Sequence, residues 1–251
     1  MKGMWKKINF KIALPLLVMV ILLCGIFMYF SHPVDILIKQ FPHLSIQKDL
    51  DVTIDIKRER PKNWVPLNQV SHYAKWAIIL SEDWSFYDHE GVDLEQVKVA
   101  LSEMVEEQRF RGASTITQQM VKNVFLGGYP TLWRKFHEII LAQKVEKTLS
   151  KNRILEIYLN CIEFGPGIYG LKSAARHYFQ KSPADLSPKE GAFLAMLLPS
   201  PKKYYVSFAK KSLTKFAKSR IQAILAKMRM AKVITPEHFE AEVATALNWE
   251  R

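Results

Sequence analysis

The longest uninterrupted apolar stretch of the chain, IALPLLVMVILLCGIFMYF, runs from Ile12 to Phe30 without a charged residue. At about 1.5 Å per residue such a helix spans roughly 28 Å, which matches the hydrocarbon core of a bilayer. Lys2, Lys6, Lys7 and Lys11 precede it, and no Lys or Arg follows before Lys39. The positive-inside rule therefore predicts a cytoplasmic basic tail (1–11), one transmembrane helix (12–30) and everything after it outside. The run is longer than a signal-peptide core of about 7–15 residues, and no A-x-A site follows, which predicts an uncleaved anchor.

Beyond the anchor the pattern changes. Residues 31–65 mix short apolar runs with Pro33, Pro42 and Pro61, which predicts a stalk leading into a domain over 66–251. From Leu67 onward apolar positions recur at helical spacing. Helices are expected near 67–82, 93–108, 115–125, 131–149, 151–160, 167–180, 187–197, 211–231 and 235–247. Period-two alternation is nearly absent, with Val52–Lys57 as the exception. The expected fold class is mainly α.

Composition narrows the function. Hydrophobic residues make up 49% of the 251 and the formal charge is +12, so a packed core faces an anionic partner. Nucleic acid, anionic lipid and phosphorylated substrates all fit that charge. Exporting the domain removes nucleic acid and leaves headgroups and phosphates. Cys24 and Cys161 have neither zinc nor redox spacing and are read as free thiols.

Three segments carry candidate chemistry. In Ser81–Gly91, SEDWSFYDHEG, an apolar helix runs into Glu82 and Asp83 beside Phe86, Tyr87 and His89. Desolvation there raises a carboxyl pKa and suits a general base, although on composition alone two surface acids over packed aromatics are the favoured reading. In Gly112–Asn123, GASTITQQMVKN, Thr115 and Gln118 have the spacing of a capping box. Gln119, Lys122 and Asn123 follow on one face, so the helix start is either an anion cradle or simply a well-capped terminus. In Trp133–Asn160, Arg134 and Glu138 sit four apart on a largely apolar helix. Buried charges there require pairing or use, whereas at a surface the same pair is an ordinary i,i+4 contact.

Taken together, E-D-x-x-F-x-x-H-x-G from Glu82, G-x-S-T-I-T-Q-Q-x-x-K-N from Gly112, R-K-x-x-E from Arg134 and I-L-E-x-Y-L-N from Ile154 stand in order. The chain thereby resembles glycosyltransferase family 51, the peptidoglycan glycosyltransferases, from about residue 60 to about residue 230. The resemblance implies a lysozyme-like helical domain with a small membrane-facing jaw lobe. It implies polymerisation of glycan strands from lipid II at the cytoplasmic (inner) membrane, with inversion and release of polyprenyl diphosphate. Glu82 then matches the base and Glu138 the second catalytic carboxylate. Asp83, Phe86 and His89 match supports of that site, and Thr115, Gln119, Lys122 and Arg134 match positions that handle the diphosphate. Ser114, Gln118, Asn123, Glu156 and Asn160 complete the expected substrate-binding set. A divalent cation, Mg2+ or Mn2+, is implied without assigned ligands, as are lipid II, the growing strand, membrane lipids and other wall-synthesis proteins as partners. Trp84 and Ser85 stand where the family often carries a basic residue, and Ala113 replaces a common glycine.

Two further stretches are membrane candidates, Val124–Trp133 with Gly127 and Gly128, and the lysine- and aromatic-rich Pro199–Lys218. The second fits a basic connector equally well. Ser-x-x-Lys occurs four times, from Ser45, Ser200, Ser207 and Ser212, but no K-T-G accompanies it, which argues against a transpeptidase. A lytic enzyme of similar architecture and a silent membrane scaffold are the rival readings.

Overall fold

Residues 10–46, 52–106, 112, 114–127 and 131–250 are described by the structure, a computed structural model. The basic tail through Asn9, Ala113 and Gly128 lie outside the described residues, and Lys11 is described in its backbone alone. The first helix, α1 (Phe10–Ser31), runs through the apolar stretch. Its side chains are described for residues 14–27, and among the described residues no helix is long and apolar enough to cross a membrane. Leu16, Leu17, Leu22 and Phe27 of α1 are 57–74% exposed.

The segment expected as a stalk is instead part of the domain. Val34 and Leu37, in a 3-10 turn at Val34–Ile38, are buried in the core, as are Trp64 and Val65. Between them β1 (Phe41–Ile46) and β2 (Val52–Lys57) pair antiparallel, Phe41 opposite Lys57 and Ile46 opposite Val52. The alternation seen in Val52–Lys57 is real, with every second residue partly covered. Its partner carries Pro42, an edge-strand residue that interrupts the pattern. Arg153 explains why the segment is held. It donates to the Leu37 and Gln40 carbonyls at 3.0 and 2.7 Å and to Glu156 at 2.8 Å, while its guanidinium lies 4.8 Å from the Phe41 ring centre.

The helices that follow form two packed groups. One joins α4 (Ile116–Val121), α5 (Leu132–Thr148) and α6 (Lys151–Cys161), and α1 lies along α5. The other joins α2 (His72–Glu82), α8 (Pro188–Leu197) and α11 (Lys215–Met230). α2 and α8 approach so closely that a Cβ on Gly191 would come within 2.7 Å of the Ala74 Cα. α3 (Leu94–Glu106) follows the loop after α2. A short pair, β3 (Glu163–Gly165) and β4 (Ile168–Tyr169), leads into α7 (Leu171–Phe179). Single turns α9 (Pro201–Tyr204) and α10 (Val206–Ala209) precede α11, and α12 (Pro236–Ala244) closes the described chain. α12 is tied to α8 reciprocally: Glu242 accepts from the Lys189 N–H at 2.8 Å, and the Lys189 ammonium donates to the Thr245 carbonyl just past α12.

The helices expected from periodicity are present with trimmed ends. The main differences are that 67–82 begins as a 3-10 turn (Leu67–Gln69) and that 167–180 begins as β4. Cys24 and Cys161 are free thiols, and burial pushes that of Cys161 up to about 12. Leu37→Ala is expected to cost about 2–5 kcal/mol of stability, the range for a buried leucine, read by denaturant unfolding. A true stalk residue would cost almost nothing.

Candidate active site

Glu82 is the last residue of α2, a helix whose Ala77, Ile78, Ile79 and Leu80 are buried against α8 and α11. The apolar face thus delivers a carboxylate to the helix end, where the last carbonyls carry partial negative charge. It opens into a cleft of about 970 Å³ between the two helix groups, lined on one side by Ser114, Thr115, Gln119 and Lys122 and on the other by Pro199, Arg220 and Lys227. Burial pushes the Glu82 carboxyl above the ordinary range, a hydrogen bond from Gln119 and the charges of Arg220 and Lys227 oppose that, and Asp83 adds to it. The side chain keeps partial exposure through the cleft.

Its orientation is set by a short chain of donors. The Tyr158 hydroxyl donates to Gln119 Oε1 at 3.1 Å, which turns the Gln119 amide so that Nε2 donates to Glu82 Oε2 at 2.9 Å. Tyr158 is fully buried, and burial, with the nearby charges of Glu82 and Asp83, pushes its phenol well above its usual range, so it stays a donor.

Asp83 points the other way. It is buried and accepts from the Ile116 N–H at 2.9 Å and from His89 Nε2 at 2.9 Å. His89 Nδ1 accepts from the Gly91 N–H at 3.1 Å, which assigns the ring hydrogen to Nε2. Gly91 has φ +87°, and a Cβ there would press on the Ala142 carbonyl at 3.0 Å, so only glycine fits this turn. The Gly91 carbonyl accepts from the Thr115 hydroxyl at 2.7 Å. Thr115 and Gln118 form the capping box read from the sequence. Of the two readings of this helix start, the well-capped terminus is the one found, because its Ile116 and Gln118 N–H groups go to Asp83 and Thr115.

After Val121 the backbone widens into a π turn, Lys122–Leu126, a feature frequent at functional sites. Lys122 faces the cleft and no described residue pairs with its ammonium. Burial lowers its pKa, as do Arg134 and Lys135, while Glu138 and Glu82 raise it. Glu138 is 3% exposed and held by Lys135 at 2.5 Å, with Arg134 at 3.8 Å, and Lys135 also donates to Ser114 at 2.9 Å. Among the described residues two buried polar atoms near this region lack any partner, Ser81 Oγ in the cleft wall and Arg134 Nε beside Glu138. Each such orphan costs about 1–3 kcal/mol unless something fills it.

The structure thus brings Glu82, Asp83, Ser114, Thr115, Gln119 and Lys122 to one cleft, with Arg134 and Glu138 beside Lys122. Phe86 and His89 stand behind it. Asn123, expected on the same face as Lys122, is not part of the cleft lining. Glu156 and Asn160 are elsewhere: Glu156 accepts from Trp64 Nε1 and the Leu67 N–H, and Asn160 clasps the Val65 backbone from both sides. Their expected substrate role gives way to anchoring residues 64–67. Among the described residues no cluster of three or more metal-ligating side chains occurs. A metal here would need substrate oxygens to complete its shell, with one or two carboxylates from the protein.

Sequence reasoning missed Arg220 and Lys227. Lys227 also donates to the Leu80 carbonyl at 2.9 Å, capping the end of α2 next to Glu82. It missed Glu146 and Lys151 too. Lys151 donates to the His89 carbonyl at 2.5 Å and to Glu146 at 2.8 Å, and lies 4.7 Å from the Phe86 ring centre. Both belong to KVEKTLSKNR, which reads as a solvated charged stretch. Ser150–Asn152 has the S-x-N form of a transpeptidase motif, but Ser150 is a helix N-cap accepting from the Arg153 N–H.

Residues 49–229 match the transglycosylase family. The chain is 40% identical to a biosynthetic peptidoglycan transglycosylase of Bordetella avium (strain 197N) over 184 residues, 71% of this chain and 75% of that protein. Likeness to the proteins of the same name from Nitrosomonas eutropha (40% over 171 residues, 68% of each chain) and Alcanivorax borkumensis (42% over 176 residues, 70% of each) is similar.

A carboxyl pKa raised by folding opposes stability once the group ionises. That group's favourable contribution is complete below its unfolded pKa and is lost as pH rises through its folded pKa. Glu82→Gln is therefore expected to melt at or above the wild-type temperature at pH 7 and to lose that advantage in acid. A fall in Tm at pH 7 would make Glu82 a structural anion.

Proposed function

The chain belongs to the transglycosylase family, and from that premise we propose that it polymerises peptidoglycan glycan strands from lipid II. The observation that carries this reading is Glu82, a carboxylate whose pKa burial raises, in a cleft shared with Lys122, whose ammonium no described residue pairs. Glu82 takes the proton of the acceptor sugar's 4-hydroxyl. The freed oxygen attacks the anomeric carbon of the donor's muramyl unit as the bond to the diphosphate breaks, so configuration inverts from α to β. Lys122 and Arg134 hold the departing negative charge, and the orphaned Arg134 Nε supports an anion there. Glu138 pairs with Arg134 and Lys135 and is the carboxylate suited to a divalent cation, Mg2+ or Mn2+, that would neutralise the diphosphate when bound.

α1 serves as a membrane anchor in this reading, with the catalytic domain on the outer face. Its exposed Leu16, Leu17, Leu22 and Phe27 support that. Leu132 at 92% and Trp133 at 55% exposure support a membrane-facing jaw beside Arg134 on an otherwise lysozyme-like helical domain. Transpeptidation is not part of the proposed activity.

Detergent-solubilised protein given labelled lipid II and a divalent cation is expected to make long glycan strands. Glu82→Gln should make none, and Lys122→Ala should slow turnover about 100-fold or more, the scale of a lost charge-stabilising donor. Cleavage of finished glycan without polymer formation would identify a lytic enzyme instead. Gln119→Ala removes a hydrogen bond that lowers the Glu82 pKa, so the acid limb of the kcat/KM profile is expected at higher pH. A limb that stays in place or moves down would separate Gln119 from the base.

A further inference from the structure

Between Glu190 and Glu237 the chain contains no acidic residue, while Lys202, Lys203, Lys210, Lys211, Lys215 and Lys218 crowd its first half. Within that stretch Tyr204 and Phe216 stack face to face, ring centres 4.7 Å apart and planes 25° from parallel. Phe216 remains 50% exposed. Single exposed aromatics are common and need no explanation. A stacked pair with an open face is a different object, because the second ring holds the first in place.

Its position connects it to the cleft. Phe216, Arg220 and Lys227 recur on α11 at spacings of four and seven, which is one face of a helix. Arg220 and Lys227 line the cleft, and Lys227 touches the carbonyl two residues before Glu82. Phe216 therefore continues that wall outward, about 16 Å along the helix axis from Lys227. Tyr204 lies five residues after Pro199, itself part of the cleft wall.

We propose that the Tyr204–Phe216 pair is a subsite for the growing glycan strand, taking a sugar beyond the reacting disaccharide while the lysines around it meet stem-peptide carboxylates. The proposal rests on the polymerase reading. The flat, carbon-bound hydrogen face of a pyranose packs on an aromatic face, and a prefixed ring loses little freedom in binding it. The lysines, unneutralised within their own segment, supply the complementary charge. A bilayer is the other partner for lysines and aromatics. α1, however, packs on α5 in the opposite helix group, whereas α11 packs on α2, α8 and α12, which sets this surface apart from the anchor.

The test is titration of the detergent-solubilised full chain with soluble, uncrosslinked glycan-peptide strands of four disaccharides, by calorimetry. Phe216→Ala is expected to weaken binding about five- to tenfold, the scale of one aromatic contact, and Phe216→Trp to restore it. Phe216 is half exposed, and an unchanged Tm confirms that the loss is not one of folding. Equal affinity of wild type and Phe216→Ala overturns the subsite. So does a loss confined to vesicles of anionic phospholipid, which would make this surface a headgroup contact. Because titration needs no turnover, it fails separately from the polymerase reading, which falls instead if wild-type protein makes no strand from lipid II.

Discussion

The buried carboxylate of Asp83 is the joint on which the site depends. It stands one residue past the end of α2, yet it accepts the first N–H of α4 and the ring of His89. Each bond is charge-assisted, the stronger class of protein hydrogen bond. Together they fix the end of one helix against the start of another. Glu82 and Gln119 meet only because of that juncture, and Lys122 follows one turn later. The same carboxylate occupies the helix start that would otherwise attract an anion, which leaves side chains, Lys122 among them, as the groups an anion in the cleft would meet.

Around that joint the molecule spends its polar contacts on position. His89 receives the Gly91 N–H and gives its own hydrogen to Asp83, Thr115 closes on the Gly91 carbonyl, and Lys151 ties the His89 backbone to Glu146. Thr117 donates to Glu146 at 2.5 Å from the α4 side. None of these groups needs to touch a substrate. They are a second layer that holds the first, which keeps the Glu82 carboxylate in place in a partly desolvated cleft.

Much of this was legible in the chain. Apolar spacing gave the helices, and the T-x-x-Q spacing gave a cap that the structure reproduces bond for bond. Glu82 was a candidate because an apolar helix ends on it, but only the four motifs taken together set it apart from a surface acid. What escaped was long-range: Arg220 and Lys227 lie more than 130 residues from Glu82 and look like any lysine-rich helix until α11 folds against α2. The same blindness made 31–65 read as a stalk, since nothing local reveals that Arg153 reaches back for the Leu37 and Gln40 carbonyls. Glu156 and Asn160 were drawn toward substrate by their motif, whereas their hydrogen bonds go to the Trp64 indole, Arg153, the Glu156 carbonyl and the backbone of Val65 and Leu67. Local pattern reports local structure, and contacts across a hundred residues have no local signature.

The missing stalk has a kinetic meaning. Ser31 ends α1 and Val34 is already in the core, so about 10 Å of extended chain at most separates the two. With α1 acting as the anchor, the domain has no leash on which to rise and sample bulk solution. Under the proposed function the site would sit at one fixed height and meet a lipid-borne substrate by lateral diffusion alone. Its rate would then follow the number of substrate molecules per unit area of membrane, so diluting them with inert lipid would slow it even at constant total concentration.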